Sequence, residues 1–543
     1  MRNCVRVARQ TLTLFVWVQI LVPQPAGRLK RDGLLFYLPT KMGNANQNDI
    51  LVFERTRGFV FQRSAGILMN PSSLPSPFGI GDFGRGGYAF IDLLYEMRMK
   101  WWQILPLCPV GKGNSPYSSI SAFALNPLYL DPYGLLEDGL VTQGDVDAAV
   151  YGGSPYKADY EWAIRVKTAL LRKAYEKAGQ RADALKAFQA EQSFWLMDYA
   201  RYMATRDKND GKAWREWTLE CEEAELSYYV FEQYLLFTQW KKLKAYANAR
   251  GISILGDMPI YVSDESADFW ANRSLFETTP AGEPNRVAGV PPDYFSEDGQ
   301  LWGNPLYDWE KMKQDGYRWW LQRIGSSLHI YDAVRIDHFR GFYQYWAVPA
   351  DVKTARTGTW EPGPGMELFD AVNASFPNPQ IVAEDLGCED EGLIRFLKET
   401  GYPGMKVMQF AYYGWDSVHL PYKYTENDVA YTGTHDNDTM LGWLWAAKPK
   451  ERGQLLAYCR FSGDWGMGGA RSPVLRAVFE TLWQTSACMA ILPIQDVCGY
   501  GTDTRMNLPG EAKGNWEFRM TEQALRQIDT AYFRCINERY GRA

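Results

Sequence analysis

Ala333-Val334-Arg335-Ile336-Asp337-His338-Phe339-Arg340-Gly341 is the stretch that decides the fold. A short apolar run passes into an acidic tip, and a glycine closes it. Arg335 and Asp337 stand two positions apart, so on a strand they share one side. The same pattern recurs along the chain. Apolar runs at 101–107, 252–255, 380–383, 406–410, 429–431 and 488–493 read as short buried strands. Several end in polar tips: Gly256-Asp257, Glu384-Asp385, Gly433-Thr434-His435-Asp436 and Gln495-Asp496. Between them, 317–327, 391–399 and 472–485 have helical periodicity. Repeated strand, polar tip and helix predict an α/β fold, a (β/α)8 TIM barrel with inserted, largely helical subdomains. Catalytic groups in such barrels stand at the C-terminal ends of the strands, where these acids lie.

Working outward, residues 61–543 read as one catalytic barrel unit. Residues 63–90, rich in Gly, Pro and Ser, read as a structured loop feeding a helix at 88–99. A helical insertion occupies about 138–250, and a Gly/Pro-rich segment at about 284–305, dense in aromatics, reads as a functional rather than a disordered loop. Residues 1–60 stand apart as an N-terminal extension. Arg2, Arg6 and Arg9 precede an apolar run at 12–22 and then Pro-Gln-Pro-Ala-Gly. Three readings stay open: a signal peptide, a disordered extension, or a mis-called start with translation beginning near Met42. The apolar run is short for a membrane span.

Composition narrows the function classes. The net charge of −6 gives no reason to expect nucleic acid or an anionic membrane as a partner. Eight cysteines lie scattered, with no CxxC pair and no zinc-type spacing. That pattern predicts reduced thiols and a cytoplasmic location, with export the lesser alternative. Aromatic residues reach 15%. Most serve a large core, but neutral sugars are also bound by stacking on rings, so the content is compatible with a carbohydrate site.

Three acidic tips carry the candidate chemistry: Asp337, Glu384 and Asp436. Glycoside chemistry requires one carboxyl to protonate the leaving oxygen and a second to attack the anomeric carbon or activate water. Arg335 beside Asp337 would keep it ionised, as a nucleophile must be. His338 and His435, two of only four histidines, each flank a candidate aspartate and suit hydrogen bonding to a polar ligand. Two other readings stay open here. Each acid taken singly also fits a helix N-cap or loop anchor. The histidines and aspartates together also fit a metal site, although their spacing is not the helical HExxH pattern.

The three segments resemble the catalytic regions of the α-amylase superfamily. From about Arg63 onward the chain is similar to the 4-α-glucanotransferases, also called amylomaltases or disproportionating enzymes. Ser64-Ala65-Gly66-Ile67-Leu68 through Ile80-Gly81-Asp82 resembles that family's opening. Trp102 to Leu107 with Ser115-Pro116-Tyr117 resembles its first strand and loop. Gly289-Val290-Pro291-Pro292-Asp293 through Trp302-Gly303-Asn304-Pro305 resembles its lid, and Gln495-Asp496 through Arg505-Met506-Asn507 to Asn515-Trp516 its last barrel segment.

The resemblance implies a role for each matching position. Asp337 would be the nucleophile, Glu384 the general acid/base and Asp436 the transition-state stabiliser. Arg335, His338 and His435 would hold the nucleophile and donor sugar. Asp257 would bind sugar, and Tyr117 would stack on the donor. Asp293, Gln300 and Trp302 would meet acceptor sugars from the lid. It implies no cofactor and no metal, with maltooligosaccharides and other α-1,4-glucans as substrates. The implied reaction moves a segment of a 1,4-α-D-glucan to the 4-hydroxyl of an acceptor through a covalent glycosyl intermediate. A hydrolytic amylase-type enzyme and an inactive glucan-binding protein are the alternatives. Three positions depart from the family pattern: Lys112 and Asn114 in the loop Gly111-Lys112-Gly113-Asn114-Ser115, where an aromatic and an acid are commoner, and Leu125 where glycine is usual.

Overall fold

The computed structural model describes residues 61–292, 296–387, 390–511 and 513–543. The three readings of residues 1–60 therefore lie outside the described residues, as does Asp293. Among the described residues twelve strands are numbered in chain order. The first three are β1 (Ser64–Leu68), β2 (Trp101–Gln103) and β3 (Ser253–Pro259). Next come β4 (Arg286–Val290), β5 (Gln300–Pro305), β6 (Ala333–Asp337), β7 (Gln344–Pro349) and β8 (Thr359–Pro362). The last four are β9 (Ile381–Ala383), β10 (Gly404–Val407), β11 (Asp428–Tyr431) and β12 (Met489–Pro493).

Eight of them form a parallel sheet in the order β10-β11-β12-β1-β2-β3-β6-β9. The sheet curls until its two ends meet. There the Ala383 N–H donates to the Pro403 carbonyl at 2.9 Å, and the Met405 N–H donates to Asp385 Oδ1 at 2.7 Å. This nearly closed barrel with helices around it is the predicted architecture. β1, β11 and β12 are buried along their whole length, which explains why parallel strands read as apolar runs without alternation.

The first strand was hidden in the stretch read as a loop. β1 contains Gly66, whose missing Cβ lets β2 approach: a Cβ there would lie 2.6 Å from Trp101 Cβ. The glycine that looked like a loop signal is a close-contact residue within a strand.

Between β2 and β3 the chain forms a series of helices, including Tyr160–Tyr175, Leu196–Lys208 and the long helix Glu223–Ala249. The last begins with a capping box between Glu222 and Glu225. It ends with Trp240 and Leu243 buried, and the Trp240 Nε1–H donates to the Ile330 carbonyl at 2.9 Å. A second sheet, antiparallel and ordered β5-β4-β7-β8, was not expected from the sequence. Much of the 284–305 segment read as a lid loop is the β4–β5 pair of this sheet. β4 is recognisable only beside β7, more than fifty residues away, with which it pairs Val287 to Val348 and Ala288 to Ala347. Arg286 ties the sheet together, donating to Glu277 at 2.8 and 2.9 Å and to Glu361 at 2.6 Å.

At the opposite end from the acidic tips, two arginines close the barrel. The buried Arg542 guanidinium donates to the carbonyls of Ser64, Trp483, Thr485 and Ala487 at 3.0–3.1 Å. Arg63 donates to Trp483 and Thr485 as well, at 2.7 Å each. The Trp483 carbonyl lies at the C-terminus of the helix Pro473–Trp483, where cations are favoured. Arg542→Met should therefore lower stability by about 1–3 kcal/mol by leaving buried carbonyls unpaired. Urea unfolding should show a lower midpoint while the folded protein keeps its kinetic constants.

Candidate active site

Strand register assembles the centre of the site. β3 and β6 pair in parallel with Asp257 opposite Arg335 and Pro259 opposite Asp337. One guanidinium thereby reaches two acids. Arg335 Nη1 donates to Asp257 Oδ2 at 2.6 Å, and Nη2 donates to Asp337 Oδ1 at 2.8 Å. Its Nε points at Met405 Sδ, 3.3 Å away across the barrel. The cation among these carboxylates is thus the arginine. Among the described residues no group of His, Cys, Asp and Glu is arranged to hold a metal ion.

The electrostatics follow from burial around one shared cation. Burial pushes the Asp337 carboxyl upward from its ordinary value; Arg335 opposes this, Glu384 adds to the rise, and His435 lowers it again. Asp257 is raised by burial in the same way, against Arg335. The Tyr117 hydroxyl donates to Asp257 Oδ2 at 2.7 Å. The Tyr117 ring stacks on His435, with centroids 5.0 Å apart and planes 15° from parallel.

Glu384 leaves β9 just after Ala383 and is fixed by backbone. Its Oε2 accepts from the His338 N–H and its Oε1 from the Leu386 N–H, both at 2.7 Å. His338 can reach it because its backbone is left-handed, at φ 51°. That conformation is uncommon for a residue with a side chain, and here it turns an N–H toward the carboxylate. Burial lowers the His338 ring from 6.5 to about 4, so at neutral pH it is an uncharged imidazole.

Asp436 stands after β11 with partners of its own. His435 Nε2 lies 3.1 Å from its Oδ2, and Asn507 Nδ2 donates to its Oδ1 at 2.6 Å. Burial alone would raise this carboxyl, but His435 and Asn507 overcome it and bring Asp436 to about 2. The His435 ring in turn is raised by Asp436 against its own burial. Arg505 holds the backbone beneath, donating to the Asp436 carbonyl at 2.6 Å.

Gln300 and Trp302 lie on β5, and the Trp302 Nε1–H donates to Gln300 Oε1 at 3.1 Å. The Trp302 ring meets His338 edge to face at 4.8 Å. The structure therefore brings Tyr117, Asp257, Arg335, Asp337, His338, Glu384, His435 and Asp436 into one cluster, with Trp302 and its partner Gln300 at its rim. Three members were not singled out beforehand: Arg505, Asn507, and Trp516, which lies 5.9 Å from both Tyr117 and His435. Their segment, 495–516, had carried the resemblance, and it was the only signal for them.

Not every acidic tip belongs to the cluster. Asp496, after β12, accepts from Thr432 Oγ1 at 2.6 Å and from the Met440 N–H at 2.7 Å, and burial raises it to about 6. Asp385 binds the Met405 N–H across the barrel seam, and burial raises it likewise to about 6. Both are structural acids, the reading that remained open for each strand tip.

Comparison with known proteins identifies the family. The sequence profile of the 4-alpha-glucanotransferase family matches residues 69–525. The 4-alpha-glucanotransferase of Streptococcus pneumoniae is 41% identical over 502 residues, covering 88% of this chain and 98% of its own. That of Synechocystis is 42% identical over 513 residues, covering 89% and 98%. Among solved structures, the amylomaltase from Streptococcus agalactiae in complex with acarbose superposes with a TM-score of 0.84 at 38% identity. That match covers 89% of this chain and all of the other. On these grounds the chain belongs to the 4-alpha-glucanotransferase family.

Proposed function

We propose that this transferase moves a segment of a 1,4-α-D-glucan to the 4-hydroxyl of an acceptor glucose or glucan by retaining double displacement. The observation that carries the reading is the Arg335 guanidinium bridging Asp257 and Asp337, with Glu384 and Asp436 among the groups that act on Asp337. Asp337 attacks the anomeric carbon while Glu384 protonates the departing glycosidic oxygen, whose bond to that carbon breaks. In the second half, Glu384 takes the proton of the acceptor hydroxyl as its oxygen attacks the same carbon and releases Asp337. Asp436, held anionic by His435 and Asn507, stabilises the positive charge that develops on the donor sugar.

The remaining residues bind. Tyr117 and Asp257 hold the donor sugar, as do His338 and His435. Gln300 and Trp302 meet the acceptor from β5, and Asp293 takes part from the neighbouring segment. Trp302 against His338 supports transfer over hydrolysis, because a ring at the rim excludes water and offers an acceptor sugar a stacking face. No cofactor enters these steps. The chain acts in the cytoplasm, a placement supported by the free thiols of Cys108, Cys221, Cys459, Cys488, Cys498 and Cys535. Among the described residues no helix is long and apolar enough to cross a membrane.

Maltotriose tests the reading. A transferase yields glucose together with longer maltodextrins, whereas accumulation of shorter sugars alone would assign hydrolysis. Asp337→Asn keeps the side-chain shape but removes the nucleophile, so turnover should fall about 1,000-fold or more with an unchanged circular dichroism spectrum. Residual activity near wild type would remove Asp337 from its role. His435→Gln deletes a ring that acts to lower both Asp337 and Asp436. Both carboxyls should then titrate higher, and the acid limb of the kcat/KM profile should move to higher pH.

A further inference from the structure

The strand order places one loop in a telling position. β10 pairs with β11 and closes against β9, so the chain leaving β10 rises between the tip that carries Glu384 and the tip that carries Asp436. Its base is tied to the second of these, since Gln409 Nε2 donates to the Asp438 carbonyl at 2.8 Å. The loop runs from the 3-10 turn Met408–Tyr413 to a second turn, Pro421–Lys423. Its path is well fixed. Ser417 Oγ donates to the Phe410 carbonyl at 3.0 Å, the Val407 N–H to His419 Nδ1 at 3.2 Å, and the Tyr424 hydroxyl to the His419 carbonyl at 2.8 Å.

This anchored loop buries Tyr412 and Tyr424 yet holds three other rings in solvent. Tyr413 is 57% exposed, Trp415 61% and Tyr422 68%. Lys423 links two of these positions: its ammonium lies 5.8 Å from the Tyr422 ring centroid and donates to the carbonyl of Asp416, next to Trp415, at 2.6 Å. Exposed aromatic rings leave stacking surface unused, and here a carboxylate and an ammonium lie among them.

We propose that Tyr413, Trp415 and Tyr422 form a stacking platform for glucose units of a long α-1,4-glucan beyond those held at the carboxylates. The proposal rests on the transferase reading and adds preference for chain length. Flat rings interleaved with Asp416 and Lys423 suit a sugar, whose C–H faces stack while its hydroxyls take polar partners. Aromatic rings also serve protein interfaces, and it is the rise of this loop between the Glu384 and Asp436 tips that favours a glucan. The base of the loop lies beside the tip that carries Asp436, on the way out of the cleft.

The test uses the full chain carrying Trp415→Ala and Tyr422→Ala together, with amylose and maltotriose as substrates. The KM for amylose should rise about tenfold, in keeping with the loss of two stacking contacts. Maltotriose constants and the urea midpoint should stay within experimental error. Equal effects on both substrates, or none on either, would overturn the platform. So would loss of self-association in sedimentation with amylose KM unchanged, which would give the patch to a second copy of the chain. A binding arm separates this proposal from the one beneath it. Asp337→Asn protein should be retarded in gels containing amylose, and the further Trp415→Ala and Tyr422→Ala changes should abolish the retardation. That readout needs no transfer, so a wild-type protein that hydrolysed maltotriose would fail the transferase reading and leave the platform still decided by retardation.

Discussion

The site depends on one buried cation serving two acids. Arg335 is almost wholly removed from water, and burying a guanidinium costs several kcal/mol unless it is well partnered. Asp257 on β3 and Asp337 on β6 supply that partnership because parallel pairing sets Arg335 opposite the first and two residues from the second. Two acids on one arginine still leave negative charge in excess. His435, with its ring raised by Asp436, makes up part of the difference, and the Tyr117 hydroxyl donates to Asp257. Nucleophile, sugar-binding acid, stacking ring and histidine are therefore electrostatically interdependent, and none keeps its setting if another is lost.

A second dependence links catalysis to barrel closure. Glu384 and Asp385 are adjacent but face different tasks. Glu384 is held by N–H groups from His338 and Leu386, while Asp385 stitches β9 to β10 through the Met405 N–H. Lys406 stands near both Asp385 and Asp428, at 3.9 and 3.6 Å, giving the seam a shared cation of its own. The carboxyl read as acid/base thus sits at the place where the sheet must curl to close, and its position is only as firm as that seam.

Much of this was legible in the sequence. Strands that are buried on both faces announce themselves as apolar runs, and acids at their ends mark the C-terminal rim. What periodicity could not show was partnership at a distance. β1 was lost because Gly66, placed for contact with Trp101, resembles a turn residue. The antiparallel sheet was lost because β4 takes its meaning from β7. Asp385, Asp496 and Asp436 look alike as strand-tip acids; only their partners separate two structural acids from one in the cluster. Asn507 and Arg505 carry no local pattern at all, and their bonds to Asp436 appear only once β12 has brought that segment back to the mouth.

The arginine latch beneath the barrel sets an order on how this chain comes to be folded. Arg542 donates to the carbonyl of Ser64, 478 positions earlier, and β1 finds its outer neighbour only in β12. At ribosomal speeds roughly half a minute to a minute and a half separates the making of those two residues. Until β12 has been made, late in that interval, β1 presents an unpaired edge, the kind of surface that recruits unwanted strands. Completion of the barrel is therefore a single late event, in which the last strand shields the first, and shelter for the nascent chain matters most just before it.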